Sequence, residues 1–244
     1  MGDTVNILGV QVSTKTMAET VDTLLGYLDE ERVHCVFTPN SEIIYMAYKD
    51  PQFAQLLNSA DLNTADGIGV VYASRILKQP LRERVTGFDL INLLCERAAP
   101  DKRRVFLFGA KPGVAEEAAD KLTQLYPGLV ICGTRDGYFK EEQTPEIVEQ
   151  INAAEPDILL VCLGAPKQEK WIADNREHLN VRVVFGAGGT LDGLAGRMER
   201  APESWQRLGL EWAFRLMKEP KRIFRMTALP RFGLTVLLKG RKYR

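Results

Sequence analysis

Three kinds of residue in this chain have the type and spacing for chemistry on an anion. Asp66 stands in TADGIGV, between an apolar, strand-like segment and a helix. A carboxylate there is either a general base or the turn former and N-cap that an Asp before Gly commonly is. Arg82 and Arg84, in LRERVTG, are either a solvated surface pair or a clamp for phosphate. The third kind is a set of strand-to-helix junctions: TPN (38–40), GAKPG (109–113), GTRDG (133–137), GAPKQ (164–168) and GAGGT (186–190). Four of the five carry glycine, which lets backbone N–H groups approach an anion, and a helix opening beyond them favours negative charge. Glycine after a strand also serves turning alone, so it is their convergence that points to a nucleotide or phosphate ligand. Gln168 and Glu169, in GAPKQEKW, read as polar site groups or as the first turn of a helix.

The common phosphate motifs are missing. GAGGTLDG lacks the third glycine of GxGxxG, and neither GxxxxGK[ST] nor GxSxG occurs. No Asp-x-Asp pair is available to hold a metal on a nucleotide diphosphate. If a diphosphate leaves here, something other than a metal must neutralise it. The four cysteines form no CxxC pair, and Cys35, Cys132 and Cys162 lie in apolar runs. With two histidines, a zinc cluster is poorly supplied. The expectation is reduced thiols in a cytosolic protein, with no metal and no cofactor.

The elements that must position these residues follow from periodicity. Residues 4–12 read as a strand, and 16–31 as a helix with Met17, Val21, Leu24, Leu25 and Leu28 on one face. VHCVFTPN reads as a buried strand. Helices open at SEIIYMAYKD and DPQFAQLLNSA, the latter with Asp50 as N-cap and Pro51 at its first position. TADGIGVVYASRIL runs from loop into helix, and 87–98 is a further helix. Then the rhythm is regular. The apolar segments RRVFLFGA, LVICGTRDGYF, DILLVCLGA and VRVVFGAGG alternate with the amphipathic helices KPGVAEEAADKLTQLY, TPEIVEQINAAEP and PKQEKWIADNREHL, and TLDGLAG follows. Such alternation means an α/β fold, a Rossmann-like, mostly parallel sheet with helices on both faces. Ligands of such sheets bind beyond the carboxyl ends of the strands, where the five junctions lie.

The chain has 244 residues and a formal net charge of +0, and that balance hides an asymmetry. From Arg197 to the end there are 13 Lys and Arg against 4 Asp and Glu, leaving +9 there and −9 on the rest. The reading is a catalytic α/β body, 1–196, and a basic, apolar C-terminal helical appendage, 197–244. Residues 203–218 read as one helix with Trp205, Leu208, Trp212 and Leu216 at helical spacing, and Pro220 as the start of a second. Arg215, Lys218, Arg222 and Arg225 then form a basic stripe. Either the appendage packs on the sheet with a solvated basic face, or it lies on an anionic membrane surface. Its apolar residues also suit a homo-oligomer in solution. A nucleic acid is not the expected partner, because the acidic body would repel it. The N-terminus lacks a basic segment followed by an apolar core, and no apolar run approaches a membrane span. The expected location is cytoplasmic, peripheral on the inner face of the cell membrane.

Taken together, TPNSEI, TADGIGVV, RVTGFDL, FGAKPGVAEEAA, LGAPKQEKWI, FGAGGTLDGLAG and RAPESWQRLGLEWAFRLMKEPKR resemble the WecG/TagA/CpsF glycosyltransferases, in order over nearly the whole chain. The resemblance implies a metal-independent, inverting transfer of N-acetylmannosamine from a UDP-sugar donor to a polyprenyl-diphosphate-linked GlcNAc acceptor. It makes Asp66 the base and Arg84 a diphosphate or substrate clamp. Thr38 and Asn40 match positions lining the pocket beside Asp66, and Gln168 matches the glutamine of GxPxQExW. Gly188, Thr190 and Asp192 match the glycine-rich loop and helix start near the nucleotide. Arg215, Arg222 and Arg225 match an appendage that closes over the site and reaches the lipid diphosphate or the departing UDP. Relatives that use UDP-ManNAcA or UDP-glucose leave the donor open, and a nucleotide-sugar-binding module without chemistry is the remaining alternative.

Overall fold

The computed structural model describes residues 3–199, 201–202, 204–205, 209–218 and 227–243. The N-terminal segment read as one strand is two, β1 (Thr4–Ile7) and β2 (Val10–Ser13), paired antiparallel. Leu8 and Gly9 turn between them with φ 53° and 98°, and positive φ at both central residues is what a two-residue hairpin requires. Gly9 supplies the position that a β-branched residue would not.

A capping box of Thr16 and Glu19 opens α1 (Met17–Tyr27). The chain continues through β3 (His34–Phe37), α2 (Ser41–Lys49), α3 (Pro51–Asn58), β4 (Leu62–Asn63), α4 (Ile68–Ile76) and α5 (Gly87–Ala98). Asp50 caps α3 through the N–H groups of Gln52 and Phe53, with Pro51 at the first position as expected. Next come β5 (Arg104–Gly109), α6 (Val114–Leu125), β6 (Val130–Arg135), α7 (Thr144–Ala153), β7 (Ile158–Cys162), α8 (Lys167–Asn175), β8 (Val183–Gly186) and α9 (Thr190–Leu194).

The strands β3 to β8 form one parallel sheet in the order β4-β3-β8-β7-β5-β6. Both its faces are dry, as the unbroken apolar runs require. In β5, Phe106 and Phe108 face one core while Val105 and Leu107 face the other. The first core also takes Ile43 and Ile44 of α2 and Trp171 and Ile172 of α8; the second takes Val114 and Ala115 of α6 and Leu191 and Leu194 of α9. Cys35, Cys95 and Cys162 are buried thiols, and all four cysteines are free. Burial pushes Cys35 up to about 11 and Cys95 and Cys162 up to about 12, far from a reactive thiolate.

Beyond Gly196 the single helix expected over 203–218 is broken. Gly209 has φ 71°, a left-handed conformation that ends a right-handed helix, and α10 begins afresh at Glu211 (Glu211–Lys218). The helix expected to start at Pro220 lies outside the described residues. The last helix, α11 (Ala228–Lys239), is bound into the body. Phe232 and Val236 are 3% and 1% exposed and share the first core with α2 and α4. Gly240 closes so tightly on Leu77 that a Cβ there would come within 2.5 Å of Leu77 Cδ2.

Candidate active site

Helices after β3 and β7 leave on the first face, and those after β5 and β8 leave on the second. Across the order β3-β8-β7-β5 the exits therefore alternate, and the junctions part to form a crevice at the carboxyl edge.

At one end of this edge stand the residues expected to do chemistry. Asp66 is half-buried in the loop between β4 and α4, and Gly67 behind it has φ 92°. Backbone and side-chain bonds hold this loop. The Thr64 N–H donates to Phe37 O (2.9 Å), the Val85 N–H to Ala65 O (3.0 Å), and Thr64 Oγ1 to Val85 O (3.3 Å). These bonds lay Val85, the residue after Arg84, alongside the loop that carries Asp66. Asn40 caps α2, its Oδ1 accepting from the N–H groups of Glu42 (3.0 Å) and Ile43 (3.1 Å). A Cβ on Gly67 would lie 3.8 Å from Asn40 Cβ, so the Asp66 loop rests against this cap. Thr38 is buried just beyond β3 and donates to Gly186 O at 3.5 Å. Gly87 packs onto it, where a Cβ would come within 3.1 Å of the Thr38 side chain. Thr38, Asn40 and Asp66 thus stand at the exits of β3 and β4, with the segment that carries Arg84 tied alongside.

Arg84 is not alone. Its Nη1 meets Glu211 Oε2 of α10 at 3.0 Å, with both side chains largely buried. Arg82, two residues away, is spent on the surface: it pairs with Glu19 of α1 and donates to Thr14 O.

Gln168 stands in the first turn of α8. It is 2% exposed, and its amide is engaged at both ends. Oε1 accepts from the N–H groups of Gly164 (3.1 Å) and Gly188 (2.9 Å), and Nε2 donates to Glu169 Oε1 (2.9 Å). Gly188 has φ 55°. Thr190 is buried too, with Oγ1 donating to Ala187 O at 2.6 Å. Gln168 and Thr190 therefore build the loops after β7 and β8 from beneath.

At the other end of the edge, over β5, β6 and β7, lies a cleft of about 730 Å³. Asp192 is the nominated residue that lines it; its remaining walls include Lys111, Tyr138, Lys140 and Lys167. The loops of its floor are bound to one another. The Gly137 N–H donates to Ala110 O (2.9 Å) and the Ala110 N–H to Cys162 O (3.0 Å). A Cβ on Gly137 would fall 2.9 Å from Leu163 Cδ2 and 3.2 Å from Gly109 Cα, so only glycine lets these loops converge. The Lys167 ammonium lies over the Phe139 ring, 4.3 Å from its centre. None of the three lysines pairs with a carboxylate among the described residues. The glycines of these junctions are legible in the sequence, but nothing local marks Lys111 and Lys167 inside them. The Arg215 side chain, Arg222 and Arg225 lie outside the described residues.

A sequence profile of the glycosyl transferase WecG/TagA/CpsF family matches residues 5–244. The chain belongs to the WecG/TagA/CpsF family. Among its relatives in that family is a Bacillus subtilis (strain 168) protein, 38% identical over 211 residues, which covers 86% of this chain and 82% of the relative. A Bacillus spizizenii protein is 37% identical over the same length, with 86% and 81% covered. A Staphylococcus aureus (strain MRSA252) protein is 34% identical over 240 residues, 98% of this chain and 94% of its own. All three are named N-acetylglucosaminyldiphosphoundecaprenol N-acetyl-beta-D-mannosaminyltransferase. Family membership extends through α10 and α11 as well as the sheet.

Proposed function

We propose that this chain is an inverting glycosyltransferase. It moves N-acetylmannosamine from UDP-ManNAc to the 4-hydroxyl of GlcNAc-diphospho-undecaprenol, making a β-1,4 bond in wall teichoic acid linkage-unit synthesis. What supports the reading is the family match over 5–244, together with Asp66, Asn40 and Thr38 at the exits of β3 and β4 on an edge whose other end is a lysine-lined cleft.

The steps follow from that division. The nucleoside lies over β7 and β5, its base or ribose met by Asp192 and the near end of its diphosphate by Lys111, Lys140 and Lys167. From β7 to β4 is three strand spacings, roughly 14 Å at ~4.8 Å each. A UDP extended along the edge covers most of that distance with its β-phosphate toward Arg84, which brings the anomeric carbon, bonded to the β-phosphate oxygen, to Asp66. The Asp66 carboxylate takes the proton of the acceptor hydroxyl as its oxygen attacks that carbon. The bond from the anomeric carbon to the β-phosphate oxygen breaks on the opposite face, and UDP leaves with the electron pair. A single displacement turns an α-linked donor into a β-linked product. Lysines and Arg84 stabilise the charge growing on the diphosphate without a metal. Glu211 must yield Arg84 or share it, so α10 senses whether an anion is present. Arg215, Arg222 and Arg225 supply further cations from the tail.

The acceptor lives in a bilayer, and the enzyme meets it from the inner face. Among the described residues, no helix is long and apolar enough to cross a membrane. The outer side of α11 supports a peripheral contact: Leu234, Leu237 and Leu238 are exposed, flanked by Arg231, Lys239, Arg241 and Lys242.

The test is product mass. The protein is mixed with a short-chain GlcNAc-diphospholipid, EDTA, and one of UDP-ManNAc, UDP-ManNAcA or UDP-glucose. Addition of one N-acetylhexosamine from UDP-ManNAc alone is expected. Addition from another donor would move the pathway, and loss on EDTA with rescue by magnesium would end the metal-free mechanism.

A further inference from the structure

Beneath the edge sits a carboxyl group that the transfer mechanism does not use. Glu169 is 1% exposed, and its Oε2 has no hydrogen-bond partner among the described residues. Its Oε1 accepts from Gln168 Nε2 at 2.9 Å. Both glycine loops that flank β7 and β8 hang from the other end of that amide. Gly164 and Gly188 have φ 77° and 55°, and a Cβ on either would meet nothing within 4 Å. Glycine is thus required at both for conformation and not for space: the left-handed turn aims each N–H inward at Gln168 Oε1. Gly186, at the end of β8, leaves room for the amide, since a Cβ there would come 3.2 Å from Gln168 Nε2.

An amide has two faces of opposite hydrogen-bonding sense, and turning it over would set its NH2 against two N–H donors. Something must hold the correct face toward the loops. We infer that Glu169 is a positioning residue for the donor-binding loops: its carboxyl fixes the orientation of the Gln168 amide, which holds Gly164 and Gly188 together across the sheet edge. Burial pushes the Glu169 carboxyl above its ordinary value, and the Gln168 hydrogen bond offsets this only in part. A carboxyl accepts from Gln168 in either protonation state. The inference rests on the reading that these loops take a nucleotide diphosphate, but its structural half is measurable without any ligand.

The experiment compares full-length wild type with E169M and E169Q. Methionine keeps length and volume and removes the acceptor; glutamine keeps an acceptor and cannot ionise. Thermal unfolding establishes that each variant folds. Amide hydrogen exchange is followed in peptides covering 163–168 and 186–190, and UDP affinity is measured by calorimetry. E169M is expected to exchange about tenfold faster in both loops and to bind UDP about tenfold more weakly, while E169Q restores both to within about twofold of wild type. Unchanged exchange in folded E169M would overturn the inference. So would an E169Q as impaired as E169M, because the group would then be acting through charge. If exchange behaves as expected but wild type binds no UDP, the positioning stands and the donor reading falls. If UDP binds equally to all three, the donor reading stands and the positioning role does not.

Discussion

Asp66 and Gln168 look alike in sequence, each a polar residue in a glycine-bearing junction, and the fold gives them opposite settings. Asp66 is half-buried at the mouth of the edge, whereas Gln168 is sealed beneath it with its amide engaged at both oxygen and nitrogen. The motif reveals that a glutamine is needed there, but its burial depends on Gly186 and on two loops distant in sequence, which no local pattern encodes. The lysines of the cleft were invisible for the opposite reason. A lysine in a loop is ordinarily solvated, and only the convergence of three junctions makes Lys111, Lys140 and Lys167 face one space. Glu169 allows a prediction at this scale. Its pKa is raised in the folded chain by burial from an ordinary value of 4.5. Below that value both folded and unfolded forms hold the proton, and the burial carries no penalty. As pH rises the unfolded chain ionises first, so stability falls by up to about 1.4 kcal/mol per pH unit until the folded carboxyl ionises too. E169Q has no such loss. Melting curves at pH 5, 6.5 and 8 should therefore show E169Q gaining on wild type as pH rises; a constant difference would mean that Glu169 is already ionised in the fold.

Among the elements, the sheet was legible because it is buried on both sides: strands such as β5 and β7 are unbroken apolar runs, and the helices between them carry one apolar face each. The strand order was not legible, since sequence periodicity says nothing of which neighbour a strand takes. Two elements were misread, each at a glycine. Gly9 splits the first strand into a hairpin, and Gly209 separates α10 from the residues before it. Both sit inside strong periodic patterns, where hydrophobic spacing outweighs a single glycine in any local reading. Gly109 shows how much one such residue carries. With φ 128°, a Cβ there would lie 2.4 Å from the Cys162 carbonyl oxygen. Backbone cannot yield as a flexible side chain can, so G109A should lose at least ~2 kcal/mol of stability and open the junction between β5 and β7. Urea unfolding measures the first effect and UDP calorimetry the second. A G109A protein of normal stability and affinity would show that the cleft floor tolerates movement.

The whole molecule is electrically divided, with +9 beyond Gly196 and −9 before it. That division was read as a body and an appendage, but α11 also completes the first core through Phe232 and Val236. Deleting residues 197–244 would therefore damage the body as well as any membrane contact, and surface substitutions separate the two. L237E/L238E alters exposed positions only. It should weaken sedimentation with phosphatidylglycerol vesicles at least about fivefold and leave the melting temperature in place, with wild-type binding falling as salt rises. Equal binding by the double variant would move the membrane contact elsewhere. All of these parts serve one central claim, that Asp66 removes the acceptor proton during sugar transfer. The direct measurement is the rate of N-acetylhexosamine transfer from UDP-ManNAc to a GlcNAc-diphospholipid by wild type and D66N, with UDP affinity and melting temperature taken on the same samples. The account predicts a loss of about 10³-fold in D66N with affinity and stability unchanged. A D66N rate within about tenfold of wild type would contradict it.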